Sequence, residues 1–218
     1  MLLHKEIQKL KQQLLTLSAI VESRLNTAVK AVDRRDIELA DNVIEGDEEI
    51  DELEVELEED CLKVLALHQP VAIDLRLIVA VLKINNDLER IGDLAVDIAE
   101  RGKYFATHAE ATFPFDFPAM SRKAQDMLQN SLDALVSLDV KLAESVGQMD
   151  DVVDEFHRRM YSQVEEAIRQ HPQHAEQFLQ YLSVSRYLER IADHATNIAE
   201  DVIYLAEGNI VRHRHAFS

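Results

Sequence analysis

Apolar residues recur every three or four positions along most of the chain, which is the spacing of an amphipathic α-helix with one buried face. Three such stripes follow one another in the first half, from Leu3 to Val32, from Val43 to Val64 and from Leu77 to Ile98. Asp36 precedes the second stripe and is predicted to be the N-cap of its helix. Long amphipathic helices with short connections favour antiparallel packing, so this half is predicted to form a three-helix bundle.

The second half of the chain repeats the first. The segment NDLERIGDLAVDIAE (86–100) matches RYLERIADHATNIAE (186–200) at an offset of 100, with nine of fifteen positions identical. Upstream the offset is 103, and it relates three acids of the first half to three of the second: Asp36, Asp47 and Asp51 to Asp139, Asp150 and Asp154. The chain is therefore predicted to be all-α, with two homologous antiparallel three-helix bundles and six long helices.

Prolines mark the boundaries of this plan. Pro70 and Pro172 each stand just before a predicted third helix, where proline is tolerated as a first helical residue. Pro114 and Pro118 lie in HAEATFPFDFPAM (108–120), the one stretch that breaks the helical periodicity. We therefore predict a first repeat over residues 1–108, a linker over 109–118 and a second repeat over 119–218.

The charge of the chain excludes some classes of partner. There are 41 acidic and 23 basic residues, a net charge of −18, which argues against binding to nucleic acid and against direct adsorption to anionic lipid. The single cysteine, Cys61, excludes an internal disulfide and any zinc site built from several cysteines. The longest apolar run has six residues, far fewer than the ~20 needed to span a bilayer, and no signal peptide is recognisable. These features predict a cytoplasmic protein without direct membrane insertion.

Carboxylates also repeat with helical spacing, roughly opposite the apolar stripe on the third predicted helix of each half and flanking it on the second. Pairs of the form acid-x-x-x-acid occur on the second and third predicted helices of both halves, and like charges at this spacing repel each other weakly. A bound cation would remove that repulsion, and all-oxygen clusters suit Mg²⁺, Mn²⁺ or iron. The predicted metal ligands are Asp47, Asp51, Glu89, Asp93, Asp97, Asp150, Asp154, Glu189 and Asp193.

Other interpretations of these acids remain open at this point. In so acidic a chain, a solvated acidic face is common. A carboxylate-bridged metal store or di-metal oxidase is a second alternative, but ferritin-like di-iron sites use two Glu-x-x-His pairs and this sequence has none. Asp154 and His157 form one acid-x-x-His pair, which has no His match in the first half. A helical adaptor that binds protein without metal is a third alternative.

The duplicated L-E-R-I-[GA]-D segments resemble the signature of the PhoU family of phosphate-uptake regulators. The resemblance extends over QPVAIDLRLIVAVLKINNDLERIGD (69–93) and YLERIADHATNIAEDVIYLAEGNIVRH (187–213). It implies tandem three-helix PhoU repeats in a non-enzymatic regulator of phosphate homeostasis. Such a protein restrains phosphate uptake and represses the phosphate-starvation response. Its implied partners are the ATPase subunit of the phosphate ABC transporter and a sensor histidine kinase, which place it at the periphery of the inner membrane.

The resemblance also bears on metal. Some family members bind multinuclear iron or zinc clusters through E/D-x-x-x-D motifs, which here match eight of the nine predicted ligands, all except Asp97. Two positions depart from the family pattern or from the internal repeat: Leu94 replaces a His often seen after the motif Asp, and Asn197 stands opposite Asp97. We therefore do not expect the two halves to hold strictly equivalent metal. Exposed faces on a six-helix molecule further favour a homodimer.

Overall fold

The computed structural model describes residues 2–108 and 115–208, and all regular secondary structure in these two ranges is helical. The prediction of an all-α fold is therefore confirmed. Residues 109–114, most of the predicted linker, lie outside the described ranges. The helices are α1 (Leu2–Arg34), α2 (Ile37–Glu45), α3 (Asp47–His68), α4 (Ala72–Thr107), α5 (Phe117–Ser137), α6 (Val140–Gln170) and α7 (Ala175–Glu207), with a 3₁₀ helix at Pro172–His174.

Two aspartates begin the corresponding helices of the two halves. The side chain of Asp36 accepts a hydrogen bond from the backbone N–H of Leu39, and Asp139 does the same for Leu142, each at 3.1 Å. Each carboxylate thereby satisfies one of the backbone donors left free at a helix N-terminus. The predicted N-cap role of Asp36 is confirmed, and the second half repeats it.

The second predicted helix of the first half is interrupted at Gly46, which ends α2 and precedes α3. A side chain at Gly46 would meet the guanidinium group of Arg24, which donates hydrogen bonds to Asn42 and to Glu49 around this break. In the second half, α6 runs through the corresponding region without a break. The two halves thus differ where the acidic pair of the second helix begins.

Within the first half, α3 runs antiparallel to its two neighbours. Lys9 near the start of α1 pairs with Asp60 late in α3, whereas Arg24 farther along α1 pairs with Glu49 early in α3. At the end of α4, Gly102 lies against the backbone of Ala31, so α1 and α4 end on the same side. A methyl group at Gly102 would lie 3.2 Å from the Ala31 carbonyl carbon, so glycine permits this close approach.

The halves pack against each other through α4 and α7, which run antiparallel. At one end of this contact Lys83 pairs with Asp201, in the middle Asp87 accepts a hydrogen bond from His194, and at the other end Phe105 stacks on Tyr181. One continuous apolar core takes in buried residues of all seven helices. The two repeats therefore share one apolar core.

The apolar stripes predicted from the sequence lie in that core. Leu88 and Ile91 of α4 and Leu188 and Ile191 of α7 are fully buried. Helix α5 begins at Phe117, so the last two residues of the predicted linker belong to its first turn. None of the helices in the described ranges has an apolar segment long enough to cross a membrane.

Candidate metal-binding faces

Carboxylates of α3 and α4 meet on one side of the first half, which we call the first acidic face (Asp47, Asp51, Glu54, Glu89 and Asp93). Partial burial raises the pKa of Asp47, and the charges of Asp51 and Asp93 raise it further. The pKa of Glu89 is raised by burial and then by the charge of Asp93. Acids of the two helices are therefore close enough to repel one another, as the predicted pairing of second and third helices requires.

Corresponding side chains of α6 and α7 form the second acidic face (Asp150, Asp154, His157, Glu189 and Asp193). Burial raises the pKa of Asp150 to about 7, helped by the charges of Asp154 and Asp193. Burial also raises the pKa of Glu189, with a contribution from Asp154. The pKa of Asp193 is raised by desolvation of its carboxylate and by Glu189, although the residue as a whole retains an exposed surface. The predicted duplication of the acids thus appears in three dimensions.

The helix start at Gly46 distinguishes Asp47 from Asp150. Asp47 lies in the first turn of α3, where free backbone N–H groups and the helix dipole favour a negative charge. Asp150 lies inside the continuous α6 and lacks that stabilisation. The charge of Arg24 also opposes the rise of the pKa at Asp47, whereas at Asp150 burial and the neighbouring acids all raise the pKa.

One carboxylate oxygen is left without a hydrogen-bond donor at the same position of each face. Oδ1 of Asp47 and Oδ1 of Asp150 are both buried and make no hydrogen bond. Oε2 of Glu89 is also buried without one, although Nε of Arg90 lies 3.4 Å away. A buried acceptor without a donor is unfavourable, and a carboxylate in this state favours either a proton or a cation.

The donor set suits a cation, but the side chains are not gathered around one point. Both faces offer carboxylate oxygens to a hard or borderline divalent metal, and the second adds the His157 ring. Within residues 2–108 and 115–208, no group of three or more His, Cys, Asp or Glu side chains is positioned to hold a metal ion. Binding of an ion by several ligands would therefore require these half-exposed side chains to change rotamer.

Asp97 lies at the edge of the first acidic face, between Asp93 and Arg190 of α7. Burial raises its pKa, followed by the charge of Glu100, and the opposing influences come from Arg101 and from Arg190 of α7. Of the first acidic face, Asp93 alone acts on it, and it also raises the pKa. The sequence prediction included Asp97 because it lies eight residues after Glu89. Two turns of an α-helix span only 7.2 residues, so the side chain at i+8 is rotated about the helix axis relative to that at i, here toward α7.

His194, which follows the motif Asp193, faces the other half of the molecule. Its Nδ1 atom lies 2.8 Å from Oδ1 of Asp87, and the Nδ2 group of Asn197 donates to the same oxygen at 3.2 Å. This explains two departures noted in the sequence. His194 and Asn197 form hydrogen bonds across the α4–α7 contact. Their counterparts Leu94 and Asp97 on α4 can therefore be different residue types.

One pair of facing residues was not predicted from the sequence. Glu54 of α3 belongs to the first face, and Asn85 of α4 donates to its carbonyl and carboxylate oxygens at 2.9 and 3.2 Å. In the second half, the offsets of 103 and 100 lead to His157 and Ser185, whose Nδ1 and Oγ atoms lie 2.9 Å apart. The offset of 103 alone would have identified Glu54 as the counterpart of His157. The two faces therefore differ by a carboxylate against an imidazole.

Comparison with known proteins agrees with the internal repeat. A family model described as the PhoU domain matches residues 14–102 and again 117–202. The two matches start 103 residues apart and end 100 residues apart, the same offsets that relate the two halves in the sequence. All residues of the two acidic faces lie within these matches.

Relatives of similar length match this chain over most of its sequence. The chain is 38% identical, over 99% of its length and 97% of the relative's, to a "Phosphate-specific transport system accessory protein PhoU homolog" of Aquifex aeolicus. A protein with the same description from Pseudomonas aeruginosa is 37% identical over 95% of this chain and 86% of its own.

Solved structures give the same result. The crystal structure of PhoU from Pseudomonas aeruginosa superposes with a TM-score of 0.91 at 36% identity, covering 94% of this chain and 99% of that one. The phosphate transport system regulatory protein PhoU from Streptococcus pneumoniae gives a TM-score of 0.84 at 28% identity, covering 96% and 99%. With two matched domains, relatives over nearly the whole length and the same helical architecture, the chain belongs to the PhoU family.

Proposed function

We propose that this chain is a non-enzymatic accessory regulator of a phosphate-specific transport system. Support comes from its relatives of matching length, which are described as accessory or regulatory proteins of such systems. In this role the chain restrains phosphate uptake and the phosphate-starvation response by binding the ATPase subunit of the transporter and a sensor histidine kinase. Binding alone accomplishes this, and no covalent chemistry is required of its residues.

The two acidic faces are proposed to bind divalent metal. The observation that carries this proposal is the buried oxygen without a donor on Asp47, repeated on Asp150. Asp51, Glu54, Glu89 and Asp93 would complete the first set of ligands, and Asp154, His157, Glu189 and Asp193 the second. A divalent cation supplies positive charge there, which offsets the mutual repulsion of the acids and gives phosphate or an acidic partner surface a site of attraction.

The chain's own residues fix where that charge would be placed. Leu88 and Leu188 are fully buried next to Glu89 and Glu189, so each third helix is held in one rotation about its axis. Gly92 allows α3 to pack closely on α4, since a methyl group there would lie 3.1 Å from Cδ1 of Ile50 and 3.9 Å from Oδ1 of Asp47. The acids thus stand on a scaffold whose helices cannot rotate freely.

Metal content tests this proposal. Three full-length variants are compared with the wild type: Asp47→Asn/Asp93→Asn, Asp150→Asn/Asp193→Asn and the control Asp126→Asn/Asp133→Asn, which removes two exposed charges from α5. Each face variant is expected to lose the metal of its own face, measured by mass spectrometry after purification, and the control none. The two losses need not be equal, because the two faces have different donor sets. Equal metal content in all four proteins would refute the metal proposal. It would favour the alternative of a helical adaptor that binds protein without metal.

Partner binding tests the regulatory role separately. The wild-type protein and the same three variants are used to capture the transporter ATPase and the sensor kinase, at high and low phosphate, with and without chelator. We expect capture that depends on phosphate level and falls on chelation or in the face variants. Full capture after exhaustive chelation favours a metal-independent adaptor, and absence of capture under every condition contradicts the proposed partners.

A further inference from the structure

His157 of α6 and Glu54 of α3 occupy the same position in the two acidic faces, 103 residues apart in the chain. Each lies about one helical turn after an aspartate of its own face, Asp154 or Asp51. Burial lowers the pKa of His157, and the charge of Asp154 opposes this effect. Burial raises the pKa of Glu54, and the charge of Asp51 adds to it. Both side chains therefore lie close to the carboxylates of their face.

The hydrogen bonds of Ser185 determine which ring nitrogen of His157 carries a proton. Ser185 of α7 is fully buried, and its hydroxyl group donates its single proton to the carbonyl oxygen of Leu182 at 2.9 Å. The hydroxyl oxygen can then only accept a hydrogen bond from Nδ1 of His157, which lies 2.9 Å away. Nδ1 therefore carries the proton, and in the neutral ring the free lone pair is on Nε2.

A second contact restricts the orientation of the same ring. Tyr161, one turn farther along α6, packs edge-on against the ring of His157, with centroids 5.2 Å apart. Metal-binding histidines in proteins are commonly held in this manner, with one ring N–H donated to an oxygen and the other nitrogen bound to the metal. The imidazole is thus oriented without a metal, in the tautomer that a ligand binding through Nε2 requires.

The counterpart in the first face offers oxygen donors instead. Asn85 of α4 donates hydrogen bonds from Nδ2 to the backbone carbonyl and the carboxylate of Glu54, so this side chain is also held by the third helix of its repeat. The two positions therefore share their attachment and differ in the donor atom. Carboxylate oxygens suit Mg²⁺ and Mn²⁺, whereas an imidazole nitrogen suits borderline ions such as Zn²⁺ and Fe²⁺.

We propose that His157, bound through Nε2 and positioned by Ser185, gives the second acidic face a stronger preference for borderline ions such as Zn²⁺ over Mg²⁺ than the first face has. The first face, with Glu54 in place of His157, binds its ion through oxygen atoms. This inference rests on the metal binding proposed above and adds which class of ion each face takes. The duplicated faces are then two sites of different specificity.

Competition between Zn²⁺ and Mg²⁺ in the full chain, freed of metal by chelator, tests the selectivity. The second face is measured alone in Asp47→Asn/Asp93→Asn, by titration of Zn²⁺ with and without excess Mg²⁺. Adding His157→Glu to this protein should lower the ratio of Zn²⁺ to Mg²⁺ affinity by about tenfold or more, because the nitrogen donor becomes a carboxylate. The matched control His171→Glu, at an exposed position just after α6, should leave the ratio unchanged.

Nitrogen NMR of the histidine rings tests the tautomer and the positioning role of Ser185. In metal-free protein the ring of His157 should carry its proton on Nδ1, and Zn²⁺ should shift the Nε2 resonance while Nδ1 keeps its proton. The His157→Glu variant assigns these signals by their loss. Ser185→Ala should abolish the tautomer preference and lower the Zn²⁺ affinity by about 10–100-fold, with helical content unchanged. Unchanged Zn²⁺ affinity in Ser185→Ala would show that its hydrogen bond only joins the two helices.

The failure of this inference can be distinguished from that of the metal proposal. If the second face binds Zn²⁺ but His157→Glu leaves the preference over Mg²⁺ unchanged, the selectivity is refuted and metal binding stands. A ring of His157 that carries its proton on Nε2 both with and without Zn²⁺ would likewise overturn the inference. If the wild-type protein binds neither ion, both proposals are refuted.

Discussion

The pKa of an individual carboxylate in this chain depends more on the groups around it than on the number of acids in the sequence. Asp150 is half-buried among acids and has a pKa raised to about 7, whereas Asp60, which accepts hydrogen bonds from Lys9, Gln13 and Lys63, has a lowered pKa. Both are aspartates on the second helix of a repeat. The direction of each shift follows from whether cations or carboxylates lie nearby and from how much water is displaced.

The raised pKa of Asp150 predicts a specific dependence of stability on pH in metal-free protein. Between its unfolded value of 3.8 and its folded value of about 7, the folded state retains a proton that the unfolded state has lost. The free energy of unfolding should therefore fall as pH rises through this window. Asp150→Asn should flatten this fall and raise stability at pH 8 by about 1–3 kcal/mol, after allowance for solvent screening.

Denaturant titrations of wild type, Asp150→Asn and the exposed control Asp126→Asn at several pH values, all in chelator, measure this effect. The control should retain the wild-type slope between pH 4 and 7. Raised pKa values at Glu189 and Asp193 act in the same direction, so some slope should remain in Asp150→Asn. A variant that is no more stable than the wild type at pH 8 would contradict the burial assigned to Asp150.

At the scale of the helix, the second predicted helix of each repeat begins with the same aspartate cap, but it is continuous in only one of the two repeats. Asp36 and Asp139 cap α2 and α6 in the same way, yet the helix continues unbroken only in the second half. The break at Gly46 makes Asp47 a first-turn residue, which the helix dipole favours. One local interruption therefore gives the two acidic faces different electrostatics despite their common spacing.

Because Asp36 and Asp139 form equivalent N-caps, their removal is expected to lower the free energy of unfolding by similar amounts. Asp36→Ala and Asp139→Ala should each lower the free energy of unfolding by about 1 kcal/mol, because each removes the side-chain acceptor for the N–H of the residue three positions later. The double variant should lose close to the sum, because the two sites lie on different helices and share no partner. Chemical denaturation with circular dichroism measures all three. A loss confined to one cap would show that the repeats are not equivalent at their helix starts.

At the scale of the whole molecule, the repeats are joined by more than a linker. The α4–α7 contact contains the hydrogen bonds of Asp87 with His194 and Asn197, and the ion pair of Lys83 with the buried Asp201. The apolar core continues across this contact. Separation of the halves would expose apolar surface and leave buried charges without partners, both of which are unfavourable.

This shared core predicts that the chain unfolds as one unit. Calorimetry should show a single transition whose calorimetric and van't Hoff enthalpies agree, although the chain contains two repeats. The isolated first repeat, residues 1–108, should lack a cooperative transition or associate with itself. Two separate transitions of the full chain, or a stable monomeric first repeat, would contradict a single cooperative unit.

Much of the fold could be predicted from periodicity. Residues such as Leu88 and Ile191 are buried because a spacing of three and four places them on one face of any helix they occupy, whatever its neighbours. The repeat, the caps and the eight paired acids follow from the same local rules. The break at Gly46 does not follow from these rules, since a glycine next to an apolar stripe is compatible with a continuous helix. The position of Arg24 beside Gly46 depends on tertiary packing.

The sequence by itself determined the all-α class, the two repeats and the spacing that puts acids on matching helix faces, because helix geometry converts residue number into direction. The tertiary structure alone decided which acids lie together. In the tertiary structure Glu54 lies in the first acidic face, Asp97 lies toward α7, and His194 contacts Asp87 of the other half. These features depend on how helices from distant parts of the chain pack, and no local pattern specifies that packing.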